Sequence, residues 1–268
     1  MNRFQGLLSN THNQIPNMNR LAIDSDTMSM SKAPVEFEQS RDVSTLLQRR
    51  SNSAADLPLA TFAPLHYEPN YAYPLIVWLH GTSSNEHELR QIMPLVSMRN
   101  YVAVAPRGTW IDPRHRGRYG WRQASETIDE AETCIAECVT LAVRRFNIHS
   151  NRVFLAGHGS GATMALRVAW RDPARFAGVI AINGPLPMRL SPMRRVNELR
   201  RVPCFLATSR DSRTYPATRV CRDLRLLHSA GCNVALRQYP GDDGLTSNML
   251  SDLDRWIMEL VCGTASNS

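Results

Sequence analysis

LAGHGSGATMAL, residues 155–166, is the stretch that decides the fold. An apolar run enters at Leu155, and three glycines (Gly157, Gly159 and Gly161) crowd a tight turn. An apolar helical pattern leaves through Met164 and Leu166. Crowded glycines let a backbone bend sharply and pass its neighbours where a Cβ would block it. A strand that turns this abruptly into a helix lifts its apex residue above the end of a sheet. The usual pattern of such a bend is Gly-x-Ser-x-Gly, with serine at the apex. Here the outer glycines are Gly157 and Gly161, and the apex residue is Gly159.

Working outward, LIVWLH (75–80), YVAVAP (101–106), VFLAG (153–157), GVIAING (178–184) and PCFLAT (203–208) are short continuous apolar runs. That texture predicts strands buried on both faces. NVALRQY (233–239) alternates and reads as the last strand. Helical patterns fall between these runs. ETIDEAETCIAECVTLAVRRF (126–146) begins acidic and ends basic, matching the helix dipole. ATRVCRDLRLLHSAG (217–231) closes on Gly231, and Leu250, Leu253, Ile257 and Leu260 recur at helical spacing within 249–261. The alternation predicts an α/β fold, a mostly parallel central sheet with helices on both faces. Its ligand crevice is expected at the carboxyl ends of the strands. Residues 1–57 lack lasting periodicity and read as a flexible, disordered tail, in which only 35–50 patterns as a short helix. The α/β domain is expected over 58–264, with a short tail at 265–268.

Of the 268 residues, 43% are hydrophobic, enough for a sizeable core. No apolar run approaches 18 residues, so no transmembrane segment is expected. The N-terminal stretch lacks the apolar core of a secretory signal. Six scattered cysteines suggest no disulfide framework, and a cytoplasmic location is the expectation. Cys134 and Cys138 lie one helical turn apart, yet no second ligand pair has zinc-site spacing, so no metal or other cofactor is expected. The sole lysine is Lys32, which removes P-loop and Schiff-base chemistry from the rest of the chain. The net charge of +7 resides in residues 58–268, because the first 57 residues balance. Two arginine-rich stretches, 112–122 and 193–201, read either as solvated faces or as anion-binding rims. No recognised nucleic-acid motif accompanies them.

With these elements placed, the chain resembles the α/β-hydrolase superfamily. Its nearest group there is the phospholipase/carboxylesterase one, with acyl-protein thioesterase-like and feruloyl-esterase-like members. The resemblance covers about residues 64–262 and rests on YPLIVWLHG (73–81), NYVAVAPRGT (100–109), YGW (119–121) and the bend within 146–166. It implies a catalytic serine, aspartate and histidine in that chain order. Serine attacks, histidine takes its proton, and the carboxylate orients the histidine.

The serine position is Gly159. Ser160, one residue along, is the alternative nucleophile, but centring the motif on it loses both outer glycines. Asp211 matches the acid by its place in the loop after PCFLAT. The histidine is missing, since none follows His228 and the loop 239–248 holds Asp242 and Asp243 instead. His80 reads as structural and His158 as a crevice residue. The resemblance therefore implies carboxylesterase ancestry with ordinary acyl-serine hydrolysis lost. Backbone amides near Gly81 and Thr82, and that of Ser160, are expected to form an anion-binding site. His158, Trp121, Arg116, Arg118 and Arg122 are expected at its rim. The expected partner is a small carboxylate or acyl ligand, or a protein. The competing expectation is an active esterase or thioesterase that uses Ser160.

Overall fold

A strand covered on both faces has no polar side to show, and the continuous apolar runs fold accordingly. The computed structural model describes residues 58–188 and 196–265. Its strands are β1 (Leu59–Phe62), β2 (Tyr73–Leu79), β3 (Val102–Pro106), β4 (Trp110–Ile111), β5 (Tyr119–Gly120), β6 (Ile148–His158), β7 (Gly178–Ile182), β8 (Cys204–Ser209) and β9 (Val234–Tyr239). The helices are α1 (Glu88–Val96), α2 (Ser125–Arg145), α3 (Ser160–Arg171), α4 (Val196–Leu199), α5 (Ala217–Ser229) and α6 (Ser247–Ala265).

Seven strands form one sheet in the order β1-β3-β2-β6-β7-β8-β9. Only β1 runs antiparallel to its neighbour within it. At the centre Val77 pairs with Leu155, and Leu79 with Gly157. Side chains alternate across the sheet, so β2 feeds two cores. Leu75, Val77 and Leu79 pack with Ile135 of α2, Leu166 of α3 and Leu227 of α5. Ile76 and Trp78 pack with Met93 of α1 and with Leu253 and Ile257 of α6. Helices thus cover both faces, the α/β arrangement that the alternation predicts and that the α/β-hydrolase resemblance implies. Fully burying one such aliphatic side chain contributes about 1.5–3 kcal/mol.

The elements depart from the sequence reading at the margins. β1 carries no continuous apolar run, and α1 spaces Leu89, Ile92, Met93 and Val96 helically but is interrupted by a proline. β1 is a short edge strand whose burial is mixed, and α1 has Pro94 inside its last turns. Gly231 lies just past α5 at φ 71, the left-handed turn expected of a terminating glycine. α6 continues one residue beyond the expected domain end at 264. The tail over 1–57, the short helix at 35–50, residues 193–195 of the second arginine stretch and the last residues 266–268 lie outside the described residues. No described helix is long and apolar enough to cross a membrane.

Candidate functional site

The bend between β6 and α3 is pressed against the end of β2. A Cβ at Gly161 would strike the carbonyl oxygens of Leu79 and His80, and one at Gly157 would meet Gly161 O at 2.6 Å. Gly159 sits at the apex with φ 54 and ψ −117, a backbone region that side chains rarely adopt. Its N–H donates to Ile182 O at 2.8 Å. A Cβ placed on Gly159 would stand 3.8 Å from Thr82 Oγ1 and 4.0 Å from Thr82 N. The apex therefore has room for a side chain and carries none. Ser160 opens α3, but its Oγ is buried and has no hydrogen-bond partner among the described residues.

The amides expected to bind an anion divide into two groups. Gly81 is a correction: its N–H donates to both Glu88 oxygens, at 3.2 and 3.3 Å, and is not open to a ligand. The same carboxylate accepts from Trp78 Nε1 at 2.9 Å, so Glu88 of α1 fastens the end of β2. Thr82 is exposed beside the apex, and no backbone acceptor takes its N–H among the described residues. Ser160 N–H, at the first position of α3, has no intrahelical acceptor. Two donors thus remain at the positive end of a helix dipole.

His80 is wholly buried and neutral by geometry. Gly108 N–H donates to Nε2 at 2.9 Å, which leaves the proton on Nδ1 to donate to Gly81 O at 2.9 Å. Burial pushes its pKa below the ordinary histidine value. Trp121 is also a correction. It is 4% exposed, and its Nε1 donates to His80 O at 3.1 Å, so it braces the loop from inside and forms no rim.

Across the crevice, the loop after β9 is tied down. His158 Nε2 lies 2.7 Å from Asp243 O, and Nδ1 packs on Gly81, where even a Cβ would come within 2.7 Å. The Asp243 carboxylate accepts from Ser212 Oγ, from Thr214 Oγ1 at 2.6 Å, and from the N–H groups of Arg213 and Thr214 at 3.1 and 3.3 Å. Partial burial pushes the Asp243 carboxyl up, but those four donors outweigh it and hold its pKa below the ordinary value. Asp211, expected as the orienting acid, is exposed, and its carboxylate orients no group among the described residues. Its N–H donates to Gly241 O at 3.0 Å, and its neighbour Ser212 makes the side-chain contact. Sequence reasoning missed this role for Ser212, because nothing local marks a loop serine that meets an aspartate 31 residues on.

Arg116 and Arg118 are exposed on the turn between β4 and β5, whereas Arg122 lies over the Trp110 ring, 4.5 Å from its centroid. Cys134 and Cys138 face the core, where burial pushes the Cys138 thiol up to about 12. Among the described residues no group of three His, Cys, Asp or Glu side chains is arranged to hold a metal ion. A cavity of about 240 Å³ lies among α3, α4 and α5, and no residue of the bend lines it.

Residues 70–260 match the family model described as Phospholipase/Carboxylesterase. A curated relative, epoxide hydrolase B of Mycobacterium tuberculosis, is 31% identical over 122 residues, which are 45% of this chain and 32% of that protein. The chain therefore spans about a third of this relative's length. Among solved structures, SOBER1 of Arabidopsis thaliana superposes with a TM-score of 0.61 at 18% identity, covering 71% of this chain and 100% of that one. The Bacillus cereus carboxylesterase gives 0.60 at 18% identity, covering 80% and 98%. YahD, in a structure with malic acid, gives 0.58 at 18% identity, covering 76% and 99%.

Proposed function

Since the chain belongs to the phospholipase/carboxylesterase family, we propose that it is a relative whose crevice binds a small carboxylate or acyl anion without cleaving it. One observation carries this reading: the apex backbone is held at φ 54 with open space above it, and the residue there is glycine. Acyl transfer needs a nucleophile and a base within hydrogen-bond reach of it. The apex has no nucleophile, and His158 Nε2 is engaged by Asp243 O. Losing either member of such a pair removes several orders of magnitude of rate. The N–H groups of Thr82 and Ser160 survive the loss, and an anion is the ligand such donors favour. Six cysteines, none in a disulfide, fit a reducing compartment such as the cytoplasm.

Titration calorimetry of the full chain with acetate, octanoate, benzoate and malate tests the reading. One-to-one binding is expected for at least one of these acids. Thr82→Pro, which deletes one donor, and Gly159→Leu, which fills the space, are expected to weaken it at least tenfold. Absence of binding, or equal binding by both variants, would overturn the proposal. The competing reading is an esterase that uses Ser160. It predicts stoichiometric labelling of Ser160 by a fluorophosphonate, and the enclosure of Ser160 Oγ supports the opposite result.

A further inference from the structure

The turn between β4 and β5 is built to stay in place, and its charge is unspent. Its backbone is clamped to the loop that carries Thr82. Tyr119 N–H donates to Ser84 O at 2.7 Å, Ser84 N–H to Tyr119 O at 3.3 Å, and Asn85 Nδ2 to Gly117 O at 3.2 Å. Asp112 N–H closes the turn on Arg118 O at 2.9 Å. Between Arg107 and Glu126 the one acidic residue is Asp112. Its carboxylate is turned inward, accepting from Ser83 Oγ at 2.6 Å and from Arg114 N–H at 2.9 Å, with His115 Nδ1 3.2 Å away. Arg114, Arg116 and Arg118 are exposed, and among the described residues none of their guanidiniums forms an ion pair. Beside them Ile111 is 67% exposed, an apolar side chain with no core to join.

We propose that this turn is a docking surface for an anionic lipid surface, with Arg114, Arg116 and Arg118 at the phosphates and Ile111 entering the headgroup layer. Three unpaired arginines and one exposed aliphatic side chain on a fixed turn combine the two attractions that an anionic bilayer offers. A single-stranded nucleic acid would need open aromatic faces on which its bases stack. The local aromatics are already covered. Arg122 lies over the Trp110 ring at 4.5 Å, Gly120 packs close to the same ring, and Arg107 covers Tyr119 at 4.7 Å. An acidic protein would use the arginines but has no general need of Ile111. The surface is distinct from the crevice reading, and either can fail without the other.

Co-sedimentation of the full chain with vesicles tests the proposal. Phosphatidylcholine vesicles alone are compared with vesicles holding about 30 mol% phosphatidylglycerol. Binding is expected only to the anionic vesicles, weakening as salt rises from about 50 to about 300 mM. Each arginine near such a surface contributes about fivefold in partition, so R114E/R116E/R118E is expected to lose at least tenfold. A matched triple reversal at the exposed Arg90, Arg225 and Arg237 changes net charge equally and is expected to lose far less. Ile111→Asp is expected to lower binding to vesicles while leaving adsorption to soluble polyglutamate or single-stranded RNA unchanged. Inorganic phosphate at matched ionic strength is expected not to compete. The proposal is overturned if anionic vesicles are not bound, if both triple variants lose equally, if Ile111→Asp binds vesicles like wild type, or if phosphate displaces the lipid.

Discussion

His158 Nε2 lies 2.7 Å from the backbone carbonyl oxygen of Asp243. A carbonyl only accepts, so this bond selects the tautomer with its proton on Nε2. The ring acts as a strut from the end of β6 to the loop after β9. His158→Ala is expected to cost about 1–2 kcal/mol, the typical value of a partly buried hydrogen bond with some packing. Urea unfolding measures the loss, and amide exchange at residues 241–245 should accelerate. His158→Gln, which can still donate to the carbonyl, should recover part of both effects.

Asp243 holds the same loop through charge. Its pKa is depressed in the folded state, so the unfolded chain takes up the proton first as acid is added. The contribution to stability is therefore full above about pH 4 and is lost as pH falls through the folded value. Asp243→Asn leaves the donors of Ser212 and Thr214 poorly matched and is expected to cost about 1–2 kcal/mol at pH 7. Denaturant midpoints across pH check the sign. The gap between wild type and variant should close below about pH 4.

His80 has the same sign for a different reason. It is buried neutral between Gly108 N–H and Gly81 O, and protonation would set a second N–H against the Gly108 donor. Its folded pKa lies below 6.5, so the unfolded state binds the proton first. Stability present above about pH 6.5 is lost as pH falls towards the folded value. Thermal unfolding of wild type should show a falling Tm between about pH 7 and pH 5. His80→Asn should be less stable at pH 7 and show a flatter profile over that interval.

The sheet was legible because its strands are covered on both faces, which writes each as an unbroken apolar run such as LIVWLH. β1 was not, because an edge strand with one mixed face has no such signature. The bend was legible from Gly157 and Gly161: a Cβ on Gly161 would strike the carbonyls at the end of β2, and one on Gly157 would strike Gly161 itself. That glycine stands at 159 and that no histidine follows His228 are read directly from the sequence. What occupies the remaining groups cannot be read there. Whether Gly81 N–H is open depends on α1 bringing Glu88 back to it, and whether Asp211 or Ser212 faces the crevice depends on two loops meeting. Trp121 is misread for the same reason, since an aromatic in a loop gives no sign of its direction until the fold encloses it.

Restoring the missing hydroxyl separates shape from chemistry. In Gly159→Ser the Cβ meets nothing closer than Thr82 Oγ1 at 3.8 Å, so the crevice accepts it. The backbone at φ 54 charges about 1–3 kcal/mol for a non-glycine residue, and denaturant unfolding should record a loss of that size. The new serine still lacks an imidazole to take its proton, because His158 Nε2 donates to Asp243 O and its accepting Nδ1 is packed on Gly81. Hydrolysis of p-nitrophenyl acetate should therefore stay near the buffer rate, without an acyl burst, and a fluorophosphonate should label the variant slowly if at all. A burst comparable to that of a working esterase would mean that a base reaches the apex. It would leave the hydroxyl as the one catalytic group lacking at the apex.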